Sequence, residues 1–272
     1  MFSEDSFIRR HKILTALIVL GVLVLLMVAR VFSWRFGPYH TYSLDLMVPA
    51  DGQPPAEPGT LEVGVSKREI TIDLSKYDTW VDGNNNNEYD IWTDTLTPRQ
   101  KILFALVNRF VKLYDPQKAA QSGDSYVDRN GNGRFDTAWV AGFGVNRPAK
   151  GVHDPQWVRA LALRNNGVTV VLVSVDAIGI FHNDVLAIRK SVNPAFKIDH
   201  IVVSSTHCHE VPDTMTGMWS GPVPLLNYDP SYMASIKQKA VEAIEEAVAS
   251  LAPADMRVTT VELPMEGFVH DS

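Results

Sequence analysis

The sequence predicts an α/β protein with a mixed β-sheet covered by helices and preceded by one transmembrane helix. The sheet and its helices are predicted by apolar strand patterns that alternate with helical patterns, and by an Asn-Asn-Gly turn between two strands. The transmembrane helix is predicted by an uncharged apolar run near the amino terminus.

The composition excludes several classes of protein. The chain has 272 residues, of which 46% are hydrophobic and 21% are charged, as is typical of globular proteins rather than disordered or collagen-like ones. Its formal net charge of −6 argues against a nucleic-acid partner, because phosphate binding needs a basic face. Cys208 is the one cysteine in the sequence, so no intrachain disulfide can form.

The amino terminus predicts a membrane anchor. Residues 13–29 carry no charge, and about twenty apolar residues cross the hydrocarbon layer of a bilayer. A cleaved signal peptide is the alternative, but no convincing cleavage motif of small residues follows the run. Because positive charges precede the run, we expect a cytoplasmic tail over residues 1–12, an anchor over residues 13–34 and the folded part outside the cytoplasm.

A linker separates this anchor from the folded domain. Five prolines fall between residues 37 and 59, so we expect a stalk over residues 35–60 that holds neither a helix nor a central strand. Alternating apolar residues over 61–74 then predict the first strand of a domain that covers residues 61–272.

Two copies of a calcium-loop pattern form an insertion at about residues 78–140. Residues 80–90 and 126–136 align without gaps, each with Asp-x-Asn-x-Asn and a closing Asp. The spacing supplies oxygen ligands at positions 1, 3, 5 and 9 of a tight loop, as in EF-hands, although the acidic ligand at position 12 is missing. Plain Asn-Gly turns are the alternative. The predicted calcium ligands are Asp82, Asn84, Asn86 and Asp90 in the first copy and Asp128, Asn130, Asn132 and Asp136 in the second.

Helical and strand patterns account for most of the remaining domain. Between the two loops, Thr97 is the predicted cap of a helix. Its apolar face, predicted to be core, comprises Ile102, Leu103, Leu106, Phe110, Val111 and Leu113. The Asn-Asn-Gly turn at 165–167 joins strands over 158–164 and 168–176, and the second of these is apolar on both faces, so we expect it to be central. The last predicted elements are a helix over 184–191, a strand over 201–205 and a helix over 229–251.

Candidate chemistry lies where the strand over 201–205 ends. Alternate side chains of an extended backbone share a face, so we expect His207 and His209 to point one way and Cys208 the other. Two imidazoles at a strand end can form half of a metal site. The alternative is one core histidine and one surface histidine. Cys208 is expected to be a small buried hydrophobe.

Four segments, in order, resemble the amino-terminal part of the neutral/alkaline non-lysosomal ceramidase family. They are VGVSKREITI at 63–72, GVHDPQWVRALAL at 151–163, VLVSVDAIG at 171–179 and SSTHCH at 204–209. The resemblance implies a zinc-dependent amidohydrolase that cleaves ceramide-like lipids to sphingosine and a fatty acid. Zinc and structural calcium are then the expected cofactors, and the partners are a ceramide-like lipid and the membrane.

The resemblance also implies roles for individual residues. His207 is implied to be a zinc ligand, and His209 is implied to be catalytic, either facing the substrate or handling a proton. The remaining zinc ligands and the nucleophile are expected beyond Ser272, so the chain is expected to be an incomplete part of a larger catalytic domain. Glu210 stands where the family has a small polar residue. His153 has no counterpart there, and we favour a structural role for it.

Two other functions stay open at this point. The chain could be a non-enzymatic, calcium-stabilised and membrane-anchored surface module in which the two histidines are structural. Alternatively, it could be a zinc hydrolase that acts on another amide or ester, including a phosphate ester.

Overall fold

The computed structural model describes residues 14, 18–30, 59–112, 114–142, 146–215 and 229–262. The predicted transmembrane helix over 13–34 is wrong, because no helix within these ranges is long and apolar enough to cross a membrane. The predicted tail over 1–12 and almost all of the predicted stalk over 35–60 lie outside the described residues.

The remaining elements form an α/β fold. The strands are β1 (Glu62–Glu69), β2 (Thr79–Val81), β3 (Ser125–Val127), β4 (Trp157–Asn165), β5 (Val168–Val175), β6 (His200–Ser205) and β7 (Ala252–Pro253). The helices that follow β2 are α1 (Pro98–Val111), α2 (Pro116–Ala120), α3 (His182–Ser191) and α4 (Pro230–Ala249). Short 3₁₀ turns lie at Leu74–Lys76, Trp92–Thr95 and Pro194–Phe196.

A mixed five-stranded sheet forms the centre of the fold, as the sequence predicts. Its order is β6-β5-β4-β1-β7, and β2 and β3 pair separately. Strand β4 is antiparallel to both β1 and β5, whereas β5 and β6 are parallel. The predicted hairpin between β4 and β5 is confirmed, with Asn166 and Gly167 at φ of 48° and 81°. Positive φ at both central residues is what a tight hairpin turn requires.

Helix α4 covers one face of the sheet. Asp229 caps it by accepting hydrogen bonds from the backbone N–H groups of Ser231 and Tyr232. Its predicted core residues Met233, Ile236, Ala240, Ile244 and Ala247 are all buried, while Leu251 is only partly buried. The backbone of β1 comes so close to this helix that a Cβ at Gly64 would lie 1.9 Å from the carbonyl oxygen of Ala247. Only glycine fits at that crossing.

Helix α1 begins as predicted but does not pack as predicted. Thr97 and Gln100 form a capping box, in which each side chain accepts a hydrogen bond from the other residue's backbone N–H. However, Ile102 is 67% exposed and Leu106 is 55% exposed, so the prediction that these two residues are core is wrong. Helical spacing shows which residues share a face, but it does not show what that face packs against.

The opposite face of the sheet is apolar and partly exposed. Cross-strand partners place seven aliphatic side chains on it: Val63, Val65, Leu161, Leu163, Val170, Leu172 and Val202. We call this surface the open face. Val65 is 66% exposed, Leu172 is 41% exposed and Val202 is 48% exposed.

Candidate functional site

The two candidate histidines lie just beyond the strand that precedes them. Strand β6 ends at Ser205, and His207 has a left-handed backbone with φ of 59°. Strand alternation therefore does not place the two side chains together, although the sequence prediction relied on it. The rings of His207 and His209 meet nevertheless, edge to face, with centroids 4.7 Å apart. A turn, rather than a strand, produces the pair.

Backbone contacts with the end of β5 hold this turn. The N–H of Thr206 donates to the carbonyl of Val175 at 2.9 Å, and the N–H of Cys208 donates to that of Ala177 at 3.2 Å. The ring of His207 continues the pattern, because its Nδ1 lies 2.8 Å from the carbonyl oxygen of Ile178. A carbonyl can only accept, so in the neutral ring Nδ1 carries the proton and Nε2 has the lone pair. Metal-binding histidines commonly show this arrangement.

A short strip of backbone supports the turn from the other side. The N–H of Ala141 donates to the carbonyl of Val211, and the N–H of Asp213 donates to that of Trp139, both at 2.9 Å. Gly142 follows this strip with φ of 108°, and a Cβ there would lie 2.7 Å from the Cβ of His209. The close approach therefore excludes any side chain at position 142.

Glu210 lies in an ion pair rather than standing alone. Both of its carboxylate oxygens accept from Nη2 of Arg147, at 2.7 and 2.6 Å. Arg147 is bonded to the same strip, because its carbonyl accepts from the N–H of Val140 at 2.8 Å. The residue that departs from the family pattern thus links the histidine turn to the strip.

A cavity of about 1220 Å³ adjoins the turn. Thr206, Cys208 and Glu210 are among the residues that line it, while His207 and His209 are not. Cys208 lines the cavity and is partly exposed, so the prediction of a buried hydrophobe is wrong. The side chain of His153, 97% exposed, lies 2.8 Å from Asp154, which raises the pKa of the histidine through a hydrogen bond.

Within the described ranges, no group of three or more His, Cys, Asp and Glu side chains is arranged to hold a metal ion. A catalytic zinc usually has three protein ligands and one open position. His207 fits one of those places by its Nε2 lone pair, and the described residues do not supply the full set.

In each calcium-type loop, three of the four predicted side chains are joined by hydrogen bonds. We call residues 82–90 loop A and residues 128–136 loop B. In loop A the amides of Asn84 and Asn86 donate to Oδ2 of Asp90 at 2.8 and 3.1 Å. In loop B the amides of Asn130 and Asn132 converge on Oδ2 of Asp136 in the same way.

In each loop, the carboxylate of the first aspartate accepts a hydrogen bond from the backbone N–H of the sixth residue. Asp82 accepts from the N–H of Asn87 at 2.9 Å, and Asp128 accepts from the N–H of Gly133 at 2.7 Å. Both sixth residues are left-handed, with φ of 63° and 74°. The hydrogen bond from Gly133 is the main cause that lowers the pKa of Asp128, which keeps this carboxylate ionised and able to ligate a cation. Lys150 also pairs with Asp82, at 2.9 Å.

Two buried aspartates that the sequence reasoning missed connect the loops. Asp78 precedes loop A but accepts from the backbone N–H groups of Arg129 and Asp136 in loop B, both at 2.8 Å. Asp124 precedes loop B but accepts from those of Gly83 and Asp90 in loop A, at 3.0 and 2.7 Å. Each carboxylate thus accepts from the backbone N–H groups of the second and ninth residues of the other loop.

The sequence contains a signal for this pairing of each aspartate with the opposite loop. Extending the repeat by two residues gives Asp-Thr-Trp-Val-Asp at 78–82 and Asp-Ser-Tyr-Val-Asp at 124–128. The same repeat builds a small aromatic core, in which the rings of Tyr89 and Phe135 lie 4.3 Å apart, and β2 pairs with β3 beside it. We call residues 78–90 and 124–136 together the twin-loop module.

Comparison with known proteins gives a family match, and two ceramidases are among the solved structures that match. The family model described as neutral/alkaline non-lysosomal ceramidase, N-terminal, matches residues 133–268, which is half of the chain. The structure of neutral ceramidase from Pseudomonas aeruginosa matches at 19% identity with a TM-score of 0.41. A ceramidase complexed with C2 matches at 16% identity with a TM-score of 0.38. Both alignments cover 72% of this chain and 22% of the solved chain, so this chain spans about a fifth of their length. None of the curated proteins matches.

Proposed function

Because this chain belongs to the neutral/alkaline non-lysosomal ceramidase family, we propose that it supplies the amino-terminal part of a zinc-dependent hydrolase. The proposed reaction is cleavage of the amide bond of a ceramide-like lipid to sphingosine and a fatty acid. The chain covers 22% of the length of the solved relatives, so the proposal concerns the enzyme to which this part contributes.

The orientation of His207 carries the proposal. Its Nδ1–H donates to the carbonyl of Ile178 at 2.8 Å, which fixes the ring and leaves Nε2 as the metal-binding atom. The ring lies within the segment that the family model matches. A zinc ion with one open position would polarise the amide carbonyl and lower the pKa of bound water to about 7.

His209 is the proposed proton-handling or substrate-facing residue. Its ring is 4.7 Å from that of His207, and histidine can take up or give a proton at a ring nitrogen near neutral pH. We propose that the missing zinc ligands and the nucleophile come from elsewhere in the protein, since the described residues form no group of three metal-binding side chains.

The proposed function is tested by fatty-acid release from a labelled ceramide, together with metal analysis of the purified full-length protein. A simple amide and a phosphate ester serve as alternative substrates. Turnover of ceramide with about one zinc per chain is expected. Turnover of the phosphate ester alone would place the protein in another class of hydrolase.

We also propose that loops A and B bind structural calcium. The support is that two asparagine side chains converge on the closing aspartate in each loop and that the first aspartate of each accepts from the N–H of the sixth residue. Loops without an acidic ligand at position 12 suit the millimolar calcium found outside cells. We therefore propose that the folded part works outside the cytoplasm.

Calcium should raise the melting temperature of the protein. A ligand that binds only the folded state contributes about 2.7 kcal/mol at a hundredfold excess over its dissociation constant. Asp128→Ala should lose part of this stabilisation, because it removes the first ligand of loop B. Asp115→Ala is the matched control, since Asp115 caps α2 between the two loops. Identical melting curves in calcium and in chelator would show that the loops are plain turns.

A further inference from the structure

We propose that residues 139–142 and Arg147 form a positioning brace for His209, so that the twin-loop module sets the geometry of the candidate active site. This inference rests on the proposed function, because it assigns residues that position its catalytic histidine. The strip 139–142 is defined here as the brace strip, and Arg147 is its anchor.

The brace strip is fixed at one end by the twin-loop module. Trp139 comes three residues after Asp136, the last residue of loop B. Its side chain is 5% exposed and packs in the aromatic core of the module, where its ring lies 6.0 Å from that of Phe135. Trp139 therefore cannot shift without disturbing the core of the module.

The other side of the same residues holds the histidine turn. The carbonyl of Trp139 accepts from the N–H of Asp213, and the N–H of Ala141 donates to the carbonyl of Val211. These two bonds form a short antiparallel bridge, with Val140 opposite Pro212. Val211 is buried at 3% exposure, so the turn is fixed two residues after His209.

Two further contacts act on His209 and its neighbour. Gly142 lies against the Cβ of His209, which limits where the ring can lie. Arg147 holds Glu210 through both carboxylate oxygens. One nitrogen, Nη2, makes both contacts, so the ion pair ties the residue after His209 to Arg147 although the side chain of Glu210 is 72% exposed.

The brace explains how a histidine on a turn could keep a fixed position. A strand would hold His209 by ladder hydrogen bonds, but β6 ends four residues earlier, at Ser205. The bridge, the glycine contact and the ion pair replace that ladder. All three come from residues that directly follow loop B.

Arg147→Lys tests the brace with little risk to folding, because it keeps the charge but ends one bond short of Nη2, the nitrogen that contacts both carboxylate oxygens of Glu210. Amide hydrogen exchange of Asp213 and Ala141 should become about fivefold faster, as expected for losing a partly exposed ion pair. In the full-length enzyme, kcat should fall about tenfold while KM changes less than twofold, because misplacing a catalytic group affects the chemical step. Arg68→Lys is the matched control, since Arg68 pairs with Glu246 on the sheet and α4.

A second variant, Gly142→Ala, changes the position of His209 without changing any charged group. Gly142→Ala should lower kcat more than Arg147→Lys, because its Cβ would displace His209 directly. Unchanged exchange at Asp213 and Ala141 in Arg147→Lys would overturn the proposal, as would faster exchange with an unaltered kcat. Absence of turnover in the unsubstituted enzyme would count against the proposed hydrolase alone, because the exchange rates report the brace independently.

Discussion

Replacing His207 with alanine should lower kcat/KM for a labelled ceramide by about a thousandfold. A catalytic metal contributes several kcal/mol of transition-state stabilisation, and each 1.4 kcal/mol or so corresponds to a factor of ten. His207→Ala removes the ring whose Nδ1 is held by the carbonyl of Ile178 and whose Nε2 is the proposed zinc ligand. Activity and zinc content should therefore fall together in the full-length enzyme.

Two further variants make this result specific. His209→Ala should retain more zinc than activity, because His209 is proposed to handle the substrate or a proton rather than the metal. His200→Ala is the matched control, since His200 is an exposed residue at the start of β6. Full zinc content in His207→Ala would show that His207 is not a zinc ligand and would contradict the proposed mechanism.

Replacing Asp124 with alanine should destabilise the twin-loop module by about 2–4 kcal/mol. The substitution removes the buried carboxylate that accepts from the N–H groups of Gly83 and Asp90, and each bond to a carboxylate from such a partly exposed donor contributes about 1–2 kcal/mol. Denaturant titration of the purified protein measures the change. Asp115→Ala removes an exposed helix cap and should cost only about 1 kcal/mol.

Each of the two buried aspartates should affect calcium binding by the loop on which its carboxylate acts, which is not the loop next to it in the sequence. Asp124→Asn should weaken calcium binding by loop A, and Asp78→Asn should weaken binding by loop B, because each carboxylate holds the second and ninth positions of the opposite loop. Calorimetric titration of each variant measures the two sites. Weakening of the adjacent loop in each variant would contradict the exchange of carboxylates.

Local patterns predicted the parts of the fold that depend on neighbouring residues. The Asn-Asn-Gly turn places two residues at positive φ, and Asp229 followed by Pro230 begins α4. The buried positions of α4 also follow its helical spacing, because the whole helix lies against the sheet. In the turn and the helix cap, the partner of each residue lies within a few positions along the chain.

Contacts between distant segments could not be predicted in the same way. Arg147 and Glu210 are 63 positions apart, and Asp78 and Asp136 are 58 positions apart, so no periodicity relates them. The histidine pair was predicted for an incorrect reason, because His207 is left-handed rather than extended. The exposed side of α1 likewise depends on what packs against the helix, which apolar spacing does not encode.

The open face has a consequence for the solubility of this chain. Its aliphatic side chains adjoin one another across four strands, and Val65 and Val202 are about half exposed or more. Soluble monomers rarely leave so continuous an apolar patch in contact with water. Salts such as ammonium sulfate strengthen the burial of apolar surface, so they should precipitate this chain at low concentration. Mild non-ionic detergents cover such patches and should keep it dispersed.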